Sequence, residues 1–522
     1  MGPRVKVLLL AAASGASCCA PVAPARFADL DPIEEIADDA PIPIPEKHLT
    51  SPLSYADAFA RRPVVDGMDL GRTPDARDVN ALDEVPTSSW FVHPAGGPLG
   101  AVTNVVNGPP VPPLLVLRRH PESGRSGLVV IDARGLRFEL GRDPADRPWL
   151  RTTAAVVGAH LMRAIGYRTP EVSILALSEA DLRLEVVDGA PPPTAAVREF
   201  LDTGPLPTKG LYRVSATRWP IGVDVGPTPP DSRDDDPNDR IPHADRRTLR
   251  ALGVVRAWLR APDFGRTALR DVYVGPMGQG HLEHFVVGLE GALGSDNARG
   301  EAVEPRSIES EPNPTAGENP LRLLVTLGFT ARRRHGDRRY PFIGDFDPVV
   351  DDSDYGTIGF EPTHRLLPAD AYWVAKQMAA IPRAVIEAAV DRAAPADAAT
   401  RERLIDVLER RRLAVIARAY ADVTPCEVVR TEANAVVLRD AGFAPSAPAT
   451  RYELAFWDGE GSSLGPTRVF APGVAVFSVP LPRAAYFLVR LRATRGEVRA
   501  PRPLELHFTT KGGAPRLVGV RH

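Results

Sequence analysis

A chain of 522 residues, 44% hydrophobic and 25% charged, has the composition of a folded soluble protein and enough length for more than one core. Its formal net charge of −3 gives no field that would hold a nucleic acid, which excludes that class of partner. Three cysteines are too few for a disulfide framework.

Read from the start, Arg4 and Lys6 precede a short apolar run over residues 7–13, too short to span a bilayer. Small residues at 14–17 then lead into Cys18 and Cys19. This stretch resembles a bacterial lipoprotein signal. It departs from that pattern in carrying Gly15 or Ala16 where such signals usually carry Leu. The resemblance implies a signal over 1–19, a lipid on Cys18 or Cys19, a membrane partner through that anchor, and a place in the cell envelope. Residues 20–50 are rich in Pro, Asp and Glu without apolar periodicity, so they read as a free tether. Residues 51–112 read as irregular chain wrapped on a domain, with Trp90 and Phe91 as apolar anchors.

From residue 113 the pattern tightens. Strands are predicted over 114–117, 128–131 and 136–140, the last two joined by the turn signal Asp132-Ala133-Arg134-Gly135. A helix is predicted over about 150–165, with Val156, Val157, His160, Leu161 and Ala164 at helical spacing and Gly166 as its stop. Strands follow near 171–177 and 182–187. Residues 225–245 read as a polar loop carrying Asp231, Asp234, Asp235, Asp236 and Asp239. Helices are predicted at 246–260, 369–380, 383–393 and 399–421. In the last, Leu404, Val407 and Leu408 form a core stripe and Arg410-Arg411-Arg412 a solvated face. Residues 426–522 mix apolar and polar positions at short spacing with Gly and Pro between, the pattern of an all-β, sandwich-like domain.

Three strands, a helix and two strands, then an apolar helix ending at Arg260-Ala261-Pro262-Asp263, a strand with Asp271, and the strand-turn 284–291: this order resembles the protein kinase-like superfamily, closer to its atypical bacterial branches. The resemblance covers 113–425 and implies a small lobe over 113–215 and a large lobe over 216–425. The fold class expected is therefore α+β, a two-lobed kinase-like domain followed by a β-sandwich-like domain. The segments 80–91 and 236–247 also resemble secreted bacterial proteins of unassigned function.

The resemblance also places the chemistry. Asp263 stands at the position of the catalytic base, Arg142 near that of the phosphate-binding Lys, and Gly124 and Gly127 in a hairpin that could cover a phosphate. Phosphoryl transfer depends on neutralising charge around the nucleotide, and here the parts for that are missing. The chain has five lysines, none between Lys47 and Lys209, and no acidic residue lies between Asp146 and Glu171 to form the usual ion pair. Thr267 and Ala268 stand where a metal-binding Asn is expected, and Gly288 where the metal-binding Asp is expected, with Glu290 out of register. Such a cleft offers Mg²⁺ too few hard ligands, so no cofactor is expected and Mg-ATP is disfavoured. The leading expectation is a non-catalytic pseudokinase-like binding or scaffold protein with a protein or glycan partner. Two alternatives stand beside it. One is an enzyme with a rebuilt cleft that performs phosphoryl or nucleotidyl transfer with Asp263, Asp271, Arg142 and Glu290. The other is a carbohydrate- or wall-binding protein acting through the β domain.

The remaining clusters read as ordinary surface. Asp345, Asp347, Asp351, Asp352 and Asp354 lack the Gly and closing Glu of a calcium loop and read as a solvated acidic loop, as does 234–236. His281 and His284, three apart on a strand, point to opposite faces and share no metal. Arg332-Arg333-Arg334-His335 reads as a solvated basic patch. No paired-Cys zinc motif, His-Glu-x-x-His run or Gly-x-Ser-x-Gly elbow is present.

Overall fold

The computed structural model describes residues 26–47, 73–94, 97–103, 108–119, 127–185, 193–229, 231–261, 268–295, 340–355, 360–445 and 449–522. Within these the fold is a mixed α+β one. The chain divides into two compact units. A strand unit comprises residues up to Leu30 with Cys426–Arg499 and Leu504–Val520, and a helix-rich unit comprises Asp31–Pro425 with Ala500–Pro503 and Arg521–His522.

The helix-rich unit is built on a six-stranded sheet. Its strands are β1 (Leu114–Arg119), β2 (Leu128–Ile131), β3 (Arg137–Gly141), β4 (Glu171–Leu177), β5 (Leu182–Arg183) and β6 (Tyr212–Arg218), in the order β4-β6-β3-β2-β1-β5. All pairings are antiparallel except β1 with β5. The sequence reading matches β2 and β4 residue for residue but misses β6. That strand fills the slot between β3 and β4, and its buried centre holds Ser215 as well as Val214 and Ala216. It also misses α1 (Gly97–Thr103) and α3 (Thr194–Asp202) and draws β5 too long.

The predicted helix at 150–165 is α2 (Leu150–Ala164), and thirteen of its fifteen residues are buried. A helix buried on every side is a core element rather than an amphipathic cover. It lacks a local cap, and Asp143 supplies one from outside, accepting from the Thr152 amide at 2.9 Å and the Thr152 hydroxyl at 2.8 Å. Gly166 stops the helix at φ +98°, and a Cβ there would lie 2.3 Å from the Phe91 ring. Positive φ and close approach therefore both require glycine. Phe91 and Trp90 are buried, the anchors expected of the irregular segment.

Past the sheet, β7 (Val223–Pro227), β8 (Leu269–Val274) and β9 (His281–Val286) form a second, antiparallel sheet. The helices are α4 (Arg247–Arg250) and α5 (Leu252–Leu259), then α6 (Glu361–His364), α7 (Pro368–Ala379), α8 (Arg383–Arg392) and α9 (Ala398–Ala421). A continuous apolar core joins α2, α5, α7, α8 and α9.

Residues 31–47 correct the tether expectation. Asp38 accepts from the Ser89 amide at 3.0 Å and hydroxyl at 2.7 Å, and the Ile42 amide bonds the Gly280 carbonyl at 2.8 Å. Ile42 is buried with Val225, Tyr273 and Leu282. Proline-rich composition fits an extended strap as well as a free coil, and the strap's backbone groups find partners on the unit.

The strand unit contains two sheets. One has the order β10 (Cys426–Thr431), β11 (Ala435–Asp440), β14 (Val476–Pro480). The other runs β13 (Arg468–Phe470), β12 (Arg451–Asp458), β15 (Tyr486–Arg495), β17 (Leu504–Thr509), β18 (Arg516–Arg521), with β16 (Val498–Arg499) on β15. Tyr452 of β12 reaches the other sheet. Its ring lies 5.0 Å from Phe477, and its hydroxyl donates to Asp440 at 2.5 Å and accepts a weak contact from the Cys426 thiol. Burial and the Asp440 charge push that thiol well up, so it is an inert core group. No described helix is long and apolar enough to cross a membrane.

Candidate functional site

The most concentrated polar chemistry in the helix-rich unit lies where β8 and β9 meet the 228–246 loop. Asp271 and His284 are directly opposed in the β8–β9 register, so their side chains share a face. That face is buried, and His284 Nδ1 sits 2.8 Å from Asp271 Oδ1. The Thr228 hydroxyl donates to the same oxygen at 2.5 Å, and Arg233 Nη1 to the other at 3.1 Å. Burial alone would raise the Asp271 carboxyl. His284, Thr228 and Arg233 outweigh it and hold the group below the usual carboxylate range.

A second carboxylate repeats the arrangement. Asp239 accepts from the Arg233 amide at 2.9 Å and from Arg246 Nη2 at 2.7 Å, and lies 2.8 Å from His243 Nε2. Burial again opposes the charge, and His243 and Arg246 hold the carboxyl far below its ordinary value. Asp236, also buried, is pushed up by burial. Trp90 joins the two halves. The His284 ring stacks on it at 3.6 Å and 11°, His243 meets it edge-on, and the Arg246 guanidinium lies 4.9 Å from its centroid. Arg233 completes the closure by grasping Asp235 with two bonds and donating to the Glu46 carbonyl of the strap.

Physically, this is a clamp. Both carboxylates are spent on fixed donors, four from the 228–246 loop and His284 from β9. Removing one partner would leave a buried, uncompensated charge. Residues 225–245 were expected as a polar loop, with 234–236 solvated. Asp236 and Asp239 are instead interior groups. Among the described residues, no group of three His, Cys, Asp or Glu is arranged to hold a metal ion.

The acidic cluster expected to be solvated is interior only in part: Asp352 is exposed, and Asp347 and Asp351 are half-buried. Asp345 and Asp354 are buried. Arg260 Nη2 pairs with Asp345 at 2.8 Å and its Nη1 with Asp347 at 3.3 Å, and Arg411 Nη2 reaches Asp354 at 3.3 Å. Arg260 closes α5 in the left-handed conformation, φ +46°, one residue before the segment that carries Asp263. Of the expected solvated face Arg410–Arg412, Arg410 is exposed and the other two are not. Arg411 and Arg412 are buried, because Arg411 lies three and four residues after Leu408 and Val407, on the core stripe of α9.

The structure describes only part of the set singled out for phosphate chemistry. Asp263, Gly124, Cys18, Cys19 and the Arg332–His335 patch lie outside the described residues. Gly127 is buried beside β2. Arg142 follows β3 and turns its guanidinium onto the end of α3. It donates to the carbonyls of Phe200 (3.0 Å), Leu201 and Pro205, and lies 4.8 Å from the Tyr212 ring centroid. That is a helix C-cap role. Glu290 is half-buried in the 3-10 turn Leu289–Gly291, which packs on α2: a Cβ on Gly158 would lie 3.1 Å from Leu289 Cβ. His281 and His284 differ in burial, as opposite faces of a strand do. Sequence reasoning missed His243, Asp239 and Trp90 as a unit. The available signal was the dense His-Asp-Arg run at 236–250, alongside an aromatic anchor.

No protein-family model matches this sequence, and no curated protein matches it.

Proposed function

We propose that the protein is a non-catalytic, kinase-like binding or scaffold protein of the cell envelope, anchored through a lipid on Cys18 or Cys19. One observation carries the reading. Arg142, which the resemblance sets on the phosphate side, has its guanidinium committed to three backbone carbonyls of its own chain. Further support comes from the succession of α5, the loop bearing Asp263, the β8–β9 hairpin, and the Leu289–Gly291 turn lying against α2. The absence of Lys and Asn from the positions that would neutralise phosphate charge points the same way. The two sheets meeting around Tyr452 support a sandwich-like second domain.

Turnover tests this directly. The protein incubated with Mg-ATP is expected to release or transfer phosphate no faster than its Asp263→Ala variant. Turnover that Asp263→Ala abolishes would establish the alternative, an enzyme with a rebuilt cleft.

A further inference from the structure

The strand unit carries its own clasp for the chain that leaves the anchor. Arg26 Nε donates to the Gly459 carbonyl at 3.0 Å, and its guanidinium pairs with Glu460. The Phe27 amide donates to the Tyr486 hydroxyl at 2.9 Å, and its ring meets His507 edge-on at 4.8 Å. Asp29 accepts from Arg516 Nε at 3.0 Å. The fit needs glycine at 519, and at 459 a Cβ would make the Arg26 guanidinium shift. A Cβ on Gly519 would lie 2.1 Å from Phe27 Cδ2, and one on Gly459 2.4 Å from Arg26 Nη2. Two hydrogen bonds that each use a main-chain group, two ion pairs, a ring contact and a glycine recess define a built docking groove with a specific occupant.

This docking has a geometric consequence. Composition assigns 31 residues, 20–50, to a free tether, yet only six, 20–25, separate Cys19 from the docked Arg26. Seven Cα steps reach at most about 25 Å. We propose that the Asp458–Ser462 turn of the strand unit, beside which the chain emerges, faces a phospholipid surface and is held within that reach of it. The proposal rests on the lipid anchor of the proposed function. A link so short gives the turn a high effective concentration at the bilayer.

The lipidated full chain on vesicles that contain a phospholipid with a photoactivatable headgroup tests this. Adducts are expected to concentrate on peptides spanning 451–463. A flexible insertion of about forty Gly and Ser residues before Arg26 should lower them several-fold, since such a coil adds roughly 35 Å of average span. Gly519→Leu should also lower them by displacing Phe27 without changing chain length. A vesicle-bound chain whose adducts avoid that turn, or are untouched by the insertion, overturns the proposal. A Cys18→Ser, Cys19→Ser variant that stays on the vesicles overturns the anchor itself, so the two failures read differently.

Discussion

Replacing Arg411 by Ala is expected to destabilise the helix-rich unit by about 3–5 kcal/mol, the scale for leaving a buried ionic network without one partner. The side chain is fully buried in the middle of α9. Its guanidinium donates to the carbonyls of Ala257 (2.6 Å), Trp258 (3.1 Å), Asp347 (2.9 Å) and Val349 (2.7 Å), and pairs with Asp354. These partners join the end of α5 to the 345–354 segment. The substitution strands several acceptors and takes the guanidinium from one buried carboxylate together. Lys would not rescue it, because a point charge cannot serve a fan of carbonyls that a planar fork reaches. Chemical denaturation gives the answer. A loss below about 1 kcal/mol, ordinary for a surface change, would mean that Arg411 does not hold this junction.

The second large effect is a pH dependence centred on His160. This residue sits inside α2, buried, with Nδ1 lacking a protein partner. Burial first, then the charges of Arg163 and Arg392, push its pKa down from 6.5 to about 3. The folded state therefore holds the ring neutral while the unfolded chain takes up a proton below 6.5. Between those values the unfolded state binds more protons, so stability rises with pH. The slope approaches about 1.4 kcal/mol per pH unit, amounting to several kcal/mol across the window. Asp239 and Asp271, whose carboxyls are depressed in the fold, contribute stability that is present above the ordinary Asp value and lost as pH falls below it. Their share therefore enters at lower pH than that of His160. His160→Leu is expected to flatten the stability curve between about pH 6.5 and pH 4.5, where the carboxylates still carry their charge. An unchanged slope in that range would show that the ring is not held neutral.

These two residues mark what was legible in the sequence and what was not. The helical period that places Leu404, Val407 and Leu408 on the core of α9 also places Arg411 there. Charge type overrode periodicity in the reading, and the arginine went to solvent. His160 was correctly put on an apolar helix face, though its loss of charge depends on neighbours that only the fold supplies. Strand β4 was legible because alternation and turn signals are local. Strand β6 was not, because its buried face mixes Ser215 with Val214 and Ala216 and so gives no clean period. The clamp around Trp90 was hidden for a different reason. Its pairs join Asp271 to Arg233, Asp38 to Ser89 and Arg233 to Glu46, and no one-dimensional pattern announces long-range partners. Its high charge density resembled a solvated loop until the partners were placed.

The central claim of the proposed function is that this chain binds no Mg-ATP. A thermal-shift titration of the protein with ATP, with Mg²⁺ and with both tests it most directly, since a ligand that binds only the folded state raises apparent stability by mass action. The account predicts no shift at millimolar ligand, with Arg142 committed to α3. A shift that requires ATP and Mg²⁺ together, and that Asp263→Ala removes, would contradict it.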